Sequence, residues 1–116
     1  MNTNLQGNIG ETVALKHFIK EGYEVYLPFG TATSCDMIVL KDGLSQRVSV
    51  KSASTKQASG NWRVRVKQGK LNKTEPFDPD GSDLLFVYIV PEDRYVILKS
   101  KDVGRKFEIT LKTVLV

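Results

Sequence analysis

Leu84 to Val90 is an unbroken apolar run, Leu-Leu-Phe-Val-Tyr-Ile-Val, and it limits the fold more than any other segment. A strand with one wet face alternates apolar and polar residues, so a strand without polar positions must be covered on both faces. Seven residues are far too few for a membrane-spanning helix, which needs about 20. The run therefore predicts a central strand in a layered α/β domain. At 116 residues the chain is expected to form one domain over 1–116, with no separate lid domain.

The flanking segments fit that layering. From Asn8 the pattern is helical: Asn8 can cap, Glu11 follows three residues later as in a capping box, and Ala14, Leu15, Phe18 and Ile19 form an apolar stripe that Gly22 ends. Tyr23 to Leu27 reads as a strand stopped by Pro28, Gly30 to Ser34 as a small-residue loop, and Cys35 to Leu40 as a second strand. Lys41-Asp42-Gly43 signals a hairpin, with Gln46 to Lys51 returning in clean alternation. Ser52 to Asn61 is read as a loop or a poorly formed helix. Trp62 to Lys67 alternates again, with Trp62, Val64 and Val66 inward and Arg63, Arg65 and Lys67 outward. Gly69 to Asp83 is read as a loop, Tyr95 to Lys99 as a strand and Ser100 to Arg105 as a short helical turn; the pattern does not assign Phe107 to Val116.

Charge separates along the chain in a way the net value of +4 hides. No acid occurs between Asp42 and Glu75, a window holding Arg47, Lys51, Lys56, Arg63, Arg65, Lys67, Lys70 and Lys73. The window carries +8 and the remainder −4, the signature of a polyanion partner such as nucleic acid or an anionic membrane. With 41% hydrophobic and 26% charged residues the chain is expected to fold as a globule. One cysteine and one histidine exclude an intramolecular disulfide and a Cys/His zinc site. The polar first ten residues carry no signal peptide or membrane anchor, so an intracellular, non-secreted protein without a membrane partner is expected.

Three polar residues are brought together by this reading. A two-residue turn at Asp42-Gly43 sets Asp36 opposite Ser49, or opposite Lys51 with the turn shifted by one. Glu11 shares the helical stripe with Ala14 and Phe18 and is expected to face the sheet. Two carboxylates beside a lysine, next to a basic ribbon, suit metal-assisted phosphodiester cleavage: carboxylates hold magnesium, the cation lowers the pKa of a bound water, and the lysine holds the phosphate.

Plainer roles apply to the neighbours. Trp62 is expected at a core or rim position, Cys35 as a small neighbour of the site, and His17 as exposed. Asp78, Asp80 and Asp83 read as a turn, and Gly7 to Gly10 lacks a phosphate-loop context.

The runs Gly7-Asn8-Ile9-Gly10-Glu11, Lys20-Glu21-Gly22-Tyr23-Glu24-Val25, Cys35-Asp36-Met37-Ile38-Val39 and Arg47-Val48-Ser49-Val50-Lys51 together resemble the PD-(D/E)XK nuclease superfamily. The likeness is to its small single-domain endonucleases and Holliday-junction-resolvase-like enzymes. It implies a restriction-endonuclease-like α/β fold, a mixed central sheet flanked by helices, with a divalent metal (magnesium or manganese), a duplex or branched DNA substrate and a homodimer. By position it implies Asp36 as metal ligand, the Val50 carbonyl as backbone ligand, Glu11 as the helix-one carboxylate and Lys51 as the motif lysine. The basic residues Arg47, Lys56, Arg63, Arg65, Lys67 and Lys70 are then DNA contacts. Ser49 departs from the pattern, occupying the second acidic position. Either Glu11 supplies the missing charge, or the domain binds nucleic acid without cutting it; a basic face for an acidic protein partner is a third reading.

Overall fold

In a computed structural model, residues 3–30, 35–70 and 73–112 are described, with side chains omitted at 3, 69, 70 and 73. Most of the loop expected over 30–34 and the end of the C-terminal tail lie outside them. The elements are α1 (Thr3–Lys20), β1 (Glu24–Tyr26), β2 (Met37–Lys41), β3 (Leu44–Ala53), β4 (Thr55–Lys56), β5 (Trp62–Arg65), β6 (Gln68–Lys70), β7 (Lys73–Glu75), β8 (Leu84–Ile89), β9 (Arg94–Lys99), α2 (Ser100–Val103) and β10 (Glu108–Leu111).

The apolar run is the central strand it was expected to be. β8 lies inside a sheet of order β1-β2-β3-β8-β9, parallel to β3 and antiparallel to β9. Its residues divide by parity. Phe86 and Tyr88 join Ala14, Phe18, Met37, Val39 and Val48 beneath α1. Leu85, Val87 and Ile89 join Trp62, Val64, Val66 and Phe77 on the opposite side, where a second sheet of order β10-β5-β4 covers the first. The expected inward positions of β5 hold, since Trp62 and Val64 are buried.

The β2–β3 hairpin turns through Asp42 and Gly43, both at positive φ (53° and 79°), the two-residue geometry whose twist matches the strands. Lys41 pairs with Leu44 and Met37 with Val48. One step further, Asp36 falls opposite Ser49, the first of the two expected registers.

The described residues correct several expectations. The helix starts at Thr3, so Asn8 is inside α1 and the capping box with Glu11 does not form; the Asn8 carbonyl accepts the Thr12 hydroxyl instead. Gly10 explains the extra turns. A β-carbon there would lie 2.6 Å from Ser52 Oγ, so a bare α-carbon lets the early helix press against β3, where Ser52 Oγ donates to the Gln6 carbonyl at 3.2 Å. Gly22 does end the helix: at φ 88° it allows Tyr23 N–H to reach the Phe18 carbonyl and Gly22 N–H the Ile19 carbonyl, a Schellman closure.

β3 extends to Ala53, β4 forms where a loop was expected, and the segment read as a loop from Gly69 contains the β6–β7 hairpin. His17 is half-buried rather than exposed, hydrogen-bonded through Nδ1 to the Tyr95 hydroxyl at 2.8 Å and packed edge-on against that ring. Among the described residues no helix is long and apolar enough to cross a membrane.

Candidate active site

β2 is shorter than β3, and the site forms where β2 stops. The Asp36 N–H still bonds to the Val48 carbonyl at 2.8 Å, but the next rung is made by a side chain: Asp36 Oδ2 accepts the Val50 N–H at 2.6 Å. The carboxylate therefore lies in the plane of the sheet. In an extended strand the N–H and C=O of one residue point the same way, so the Val50 carbonyl is turned toward the side from which Asp36 approaches.

Two charged groups flank Asp36 from opposite faces. Glu11 comes from α1; burial, then the negative charge of Asp36, pushes its pKa above the ordinary carboxylate range. Its residue surface is nonetheless exposed, because the helix stripe in full contact with the sheet is Gly10, Ala14 and Phe18, one position round. The expectation that Glu11 faces the sheet rather than water is thus corrected: it borders an open cleft of about 280 Å³ lined by Asn8, Glu11, Thr12, Leu15, Leu27 and Met37.

Lys51 lies on the other face. Burial holds its ammonium below the ordinary lysine range, and Asp36 opposes part of that shift. Its Nζ donates to the Lys67 carbonyl at 3.3 Å, which ties the site to the end of the basic ribbon. Ser49, two residues before Lys51, is 5% exposed and contributes no charge. Cys35 is half-buried beside Asp36, and burial, followed by that carboxylate, pushes its thiol up, so it stays protonated at neutral pH.

The expected basic contacts divide. Arg47 is engaged by Asp83: its N–H donates to Oδ2 at 2.7 Å and its guanidinium lies 3.4 Å from the same oxygen. The Arg47 N–H, ahead of the guanidinium, keeps Asp83 below the usual carboxylate range. Arg63 is 3.9 Å from Glu108, and Lys56 lies over the Trp62 ring at 5.6 Å. Arg65 and Lys67 are exposed; for Lys70 only the backbone is described. Sequence reasoning missed Asp83, although the signal was there: like Asp36, it is an acid immediately before an apolar strand.

Among the described residues no three His, Cys, Asp or Glu side chains converge as a metal cluster. The candidate donor set is two carboxylates, Glu11 disfavoured as an anion by burial and then by Asp36, with the Val50 carbonyl turned toward the side of Asp36. Such a set fits a hard divalent cation that keeps most of its waters.

Comparison with known proteins identifies the fold and the family. Protein 5.3 of Escherichia phage T7 is 37% identical over 90 residues, spanning 78% of this chain and 75% of that protein. The structure of the bacterial homing endonuclease I-Ssp6803I matches with a TM-score of 0.82 at 23% identity, over 97% of this chain and 79% of that one; the restriction-endonuclease-like fold is thereby shown. A profile described as PD-(D/E)XK endonuclease matches residues 1–115. With almost its whole length matched by that profile, the chain belongs to the PD-(D/E)XK endonuclease family.

Proposed function

We propose that the protein is a magnesium- or manganese-dependent DNA endonuclease of the resolvase-like kind, with Glu11, Asp36, Lys51 and the Val50 carbonyl as its active site. The observation that carries this reading is Asp36, held in the sheet plane by Val50 and flanked by Glu11 and Lys51. Glu11 and Asp36 hold the cation. When bound, it neutralises charge on the phosphate oxygens and lowers the pKa of the attacking water. Lys51, fixed by the Lys67 carbonyl, holds the scissile phosphate. Its partial burial strengthens that contact, because a cation in a less polar setting attracts a phosphate more strongly. Arg65 and Lys67 track the DNA backbone, with Lys56 and Lys70 as further contacts, joined by Arg47 and Arg63 once Asp83 and Glu108 give way. Two copies acting as a homodimer make paired cuts on duplex or branched DNA.

The test is incubation of the purified protein with plasmid, linear duplex and four-way junction DNA in magnesium, manganese or chelator. Metal-dependent cleavage is expected, and preference for the junction supports the resolvase-like assignment. A second reading, a binding module that does not cut, is favoured by the neutral, buried Ser49 at the acidic position. It predicts salt-dependent binding with no cleavage under any of these conditions.

A further inference from the structure

From the last residue of β1 runs Tyr26-Leu27-Pro28-Phe29, an apolar stretch facing water: Tyr26 is 51% exposed, Leu27 66% and Phe29 103%. Exposed Ile38 lies across the strand pair from Tyr26, the other exposed large hydrophobic residues among those described are dispersed along the chain, and here three fall within four positions. Pro28 fixes φ on one side of Phe29, Gly30 takes φ 92° on the other, and no described residue lies within 4 Å of where a β-carbon on Gly30 would be. Among the described residues the ring is thus fully exposed beside a turn. Leu27 also lines the cleft bordered by Glu11, so the projection belongs to the surroundings of the candidate site.

We infer that Phe29 is a wedge that enters the DNA base stack next to the bond being cut, making ease of unstacking part of substrate selection. The inference rests on the nuclease reading above and adds a positioning residue to it. Phe, Leu and Pro are the side chains that part base steps and kink a duplex, and an aromatic ring can stack on any base. DNA fits this turn better than a second copy of the chain does. Phe29, the most exposed of the three, matches the slot between base pairs, and Leu27 lines the cleft beside Glu11, where a bound substrate lies on the nuclease reading. The exposed Arg65 and Lys67 draw the same polyanion.

The experiment uses wild type, Phe29→Ala and Phe29→Trp. In chelator, each is mixed with closed circular plasmid and a topoisomerase that needs no metal, and the linking number is read. In magnesium or manganese, cleavage is compared on an intact duplex and on the same duplex carrying a mismatch bubble. Wild type and Phe29→Trp are expected to change the linking number and Phe29→Ala not to. Phe29→Ala is expected to cut the intact duplex at least about tenfold more slowly, since parting a base step carries a substantial free-energy cost. Its cleavage of the bubble, already unstacked, stays within about twofold of wild type, because that step is then pre-formed.

An unchanged linking number with wild type, or equal loss on both substrates with Phe29→Ala, overturns the wedge. So does conversion of a dimer to a monomer by Phe29→Ala, which makes the turn an interface between copies. Unwinding by wild type without cleavage refutes the nuclease reading, and with it the role of the wedge in choosing the bond cut, while insertion of Phe29 into the base stack stands. Failure to bind DNA at all refutes both.

Discussion

Asp36 accepts the backbone N–H of Val50 at 2.6 Å, so the acid expected to hold the metal also completes the hydrogen bonding of the strand that carries Lys51. Two substitutions separate those roles. Asp36→Ala leaves the part-buried Val50 N–H without its acceptor, a loss of about 1–3 kcal/mol, whereas Asp36→Asn keeps an oxygen there. Both variants are expected to lose metal-dependent cleavage, and only the alanine variant to lose stability in denaturant titrations. Undiminished cleavage by Asp36→Asn would remove Asp36 from the site.

Lys51→Met keeps the stem and removes a cation that the fold resists. Burial depresses the folded-state pKa of Lys51, so between that value and the unfolded value of about 10.4 the unfolded chain binds more protons and stability climbs with pH. The variant is expected to flatten that alkaline slope, to gain about 0.5–2 kcal/mol at neutral pH, and to lose cleavage. Thermal unfolding across pH 7 to 10.5 checks the slope, and an unaltered slope would show that another group produces it.

Ser49→Glu places a third carboxylate at a position only 5% exposed. Without metal the added charge is costly, and a loss of about 1–3 kcal/mol is expected. With magnesium the balance reverses, since a cation bound only by the folded state stabilises it by mass action. Calorimetric titration should show at least about tenfold tighter metal binding, equivalent to about 1.4 kcal/mol. Identical metal titrations for variant and wild type would put Ser49 outside the site.

Gly10→Val crowds Ser52, Val50 and Tyr88, the atoms nearest its absent side chain. Overpacking of this kind costs about 1–3 kcal/mol, and because Glu11 is the next residue, cleavage should fall as well. Gly10→Ala meets Ser52 Oγ first, so it is expected to be better tolerated together with Ser52→Ala than alone. A double-mutant cycle on unfolding free energies measures that coupling; strict additivity would mean that the two residues do not touch.

The parts of the fold legible in the sequence depend on neighbours close along the chain. The Asp42-Gly43 turn fixes the register that sets Asp36 opposite Ser49, the parity of β5 buries Trp62 and Val64, and the missing polar residues in β8 mark it as central. What was not legible depends on distant partners. The start of α1 is polar and helical because Gly10 permits close packing on β3, and β10 is a strand because β5 offers it an edge. The same reason limits the charge count. A window along the sequence records Arg47 and Arg63 as basic residues, but Asp83 and Glu108 return from elsewhere in the chain to meet them. For the candidate site, the hairpin register placed Asp36 opposite Ser49 and near Lys51, while the helical spacing turned Glu11 one position too far toward the sheet; the anchoring of Lys51 on the Lys67 carbonyl was not legible, because backbone acceptors carry no residue signature.

β3 changes partners at Val48, pairing with β2 up to that residue and with β8 from it onward. Beyond the handover its flank on the β2 side would be a template on which another extended chain could align, the usual hazard of an unpaired strand edge. Asp36 occupies the first rung of that template with a charged side chain, which cannot be extended into a further strand. The residue proposed for chemistry therefore also ends the β2–β3 ladder, and the strand edge beyond it is guarded against adhesive pairing by the same carboxylate.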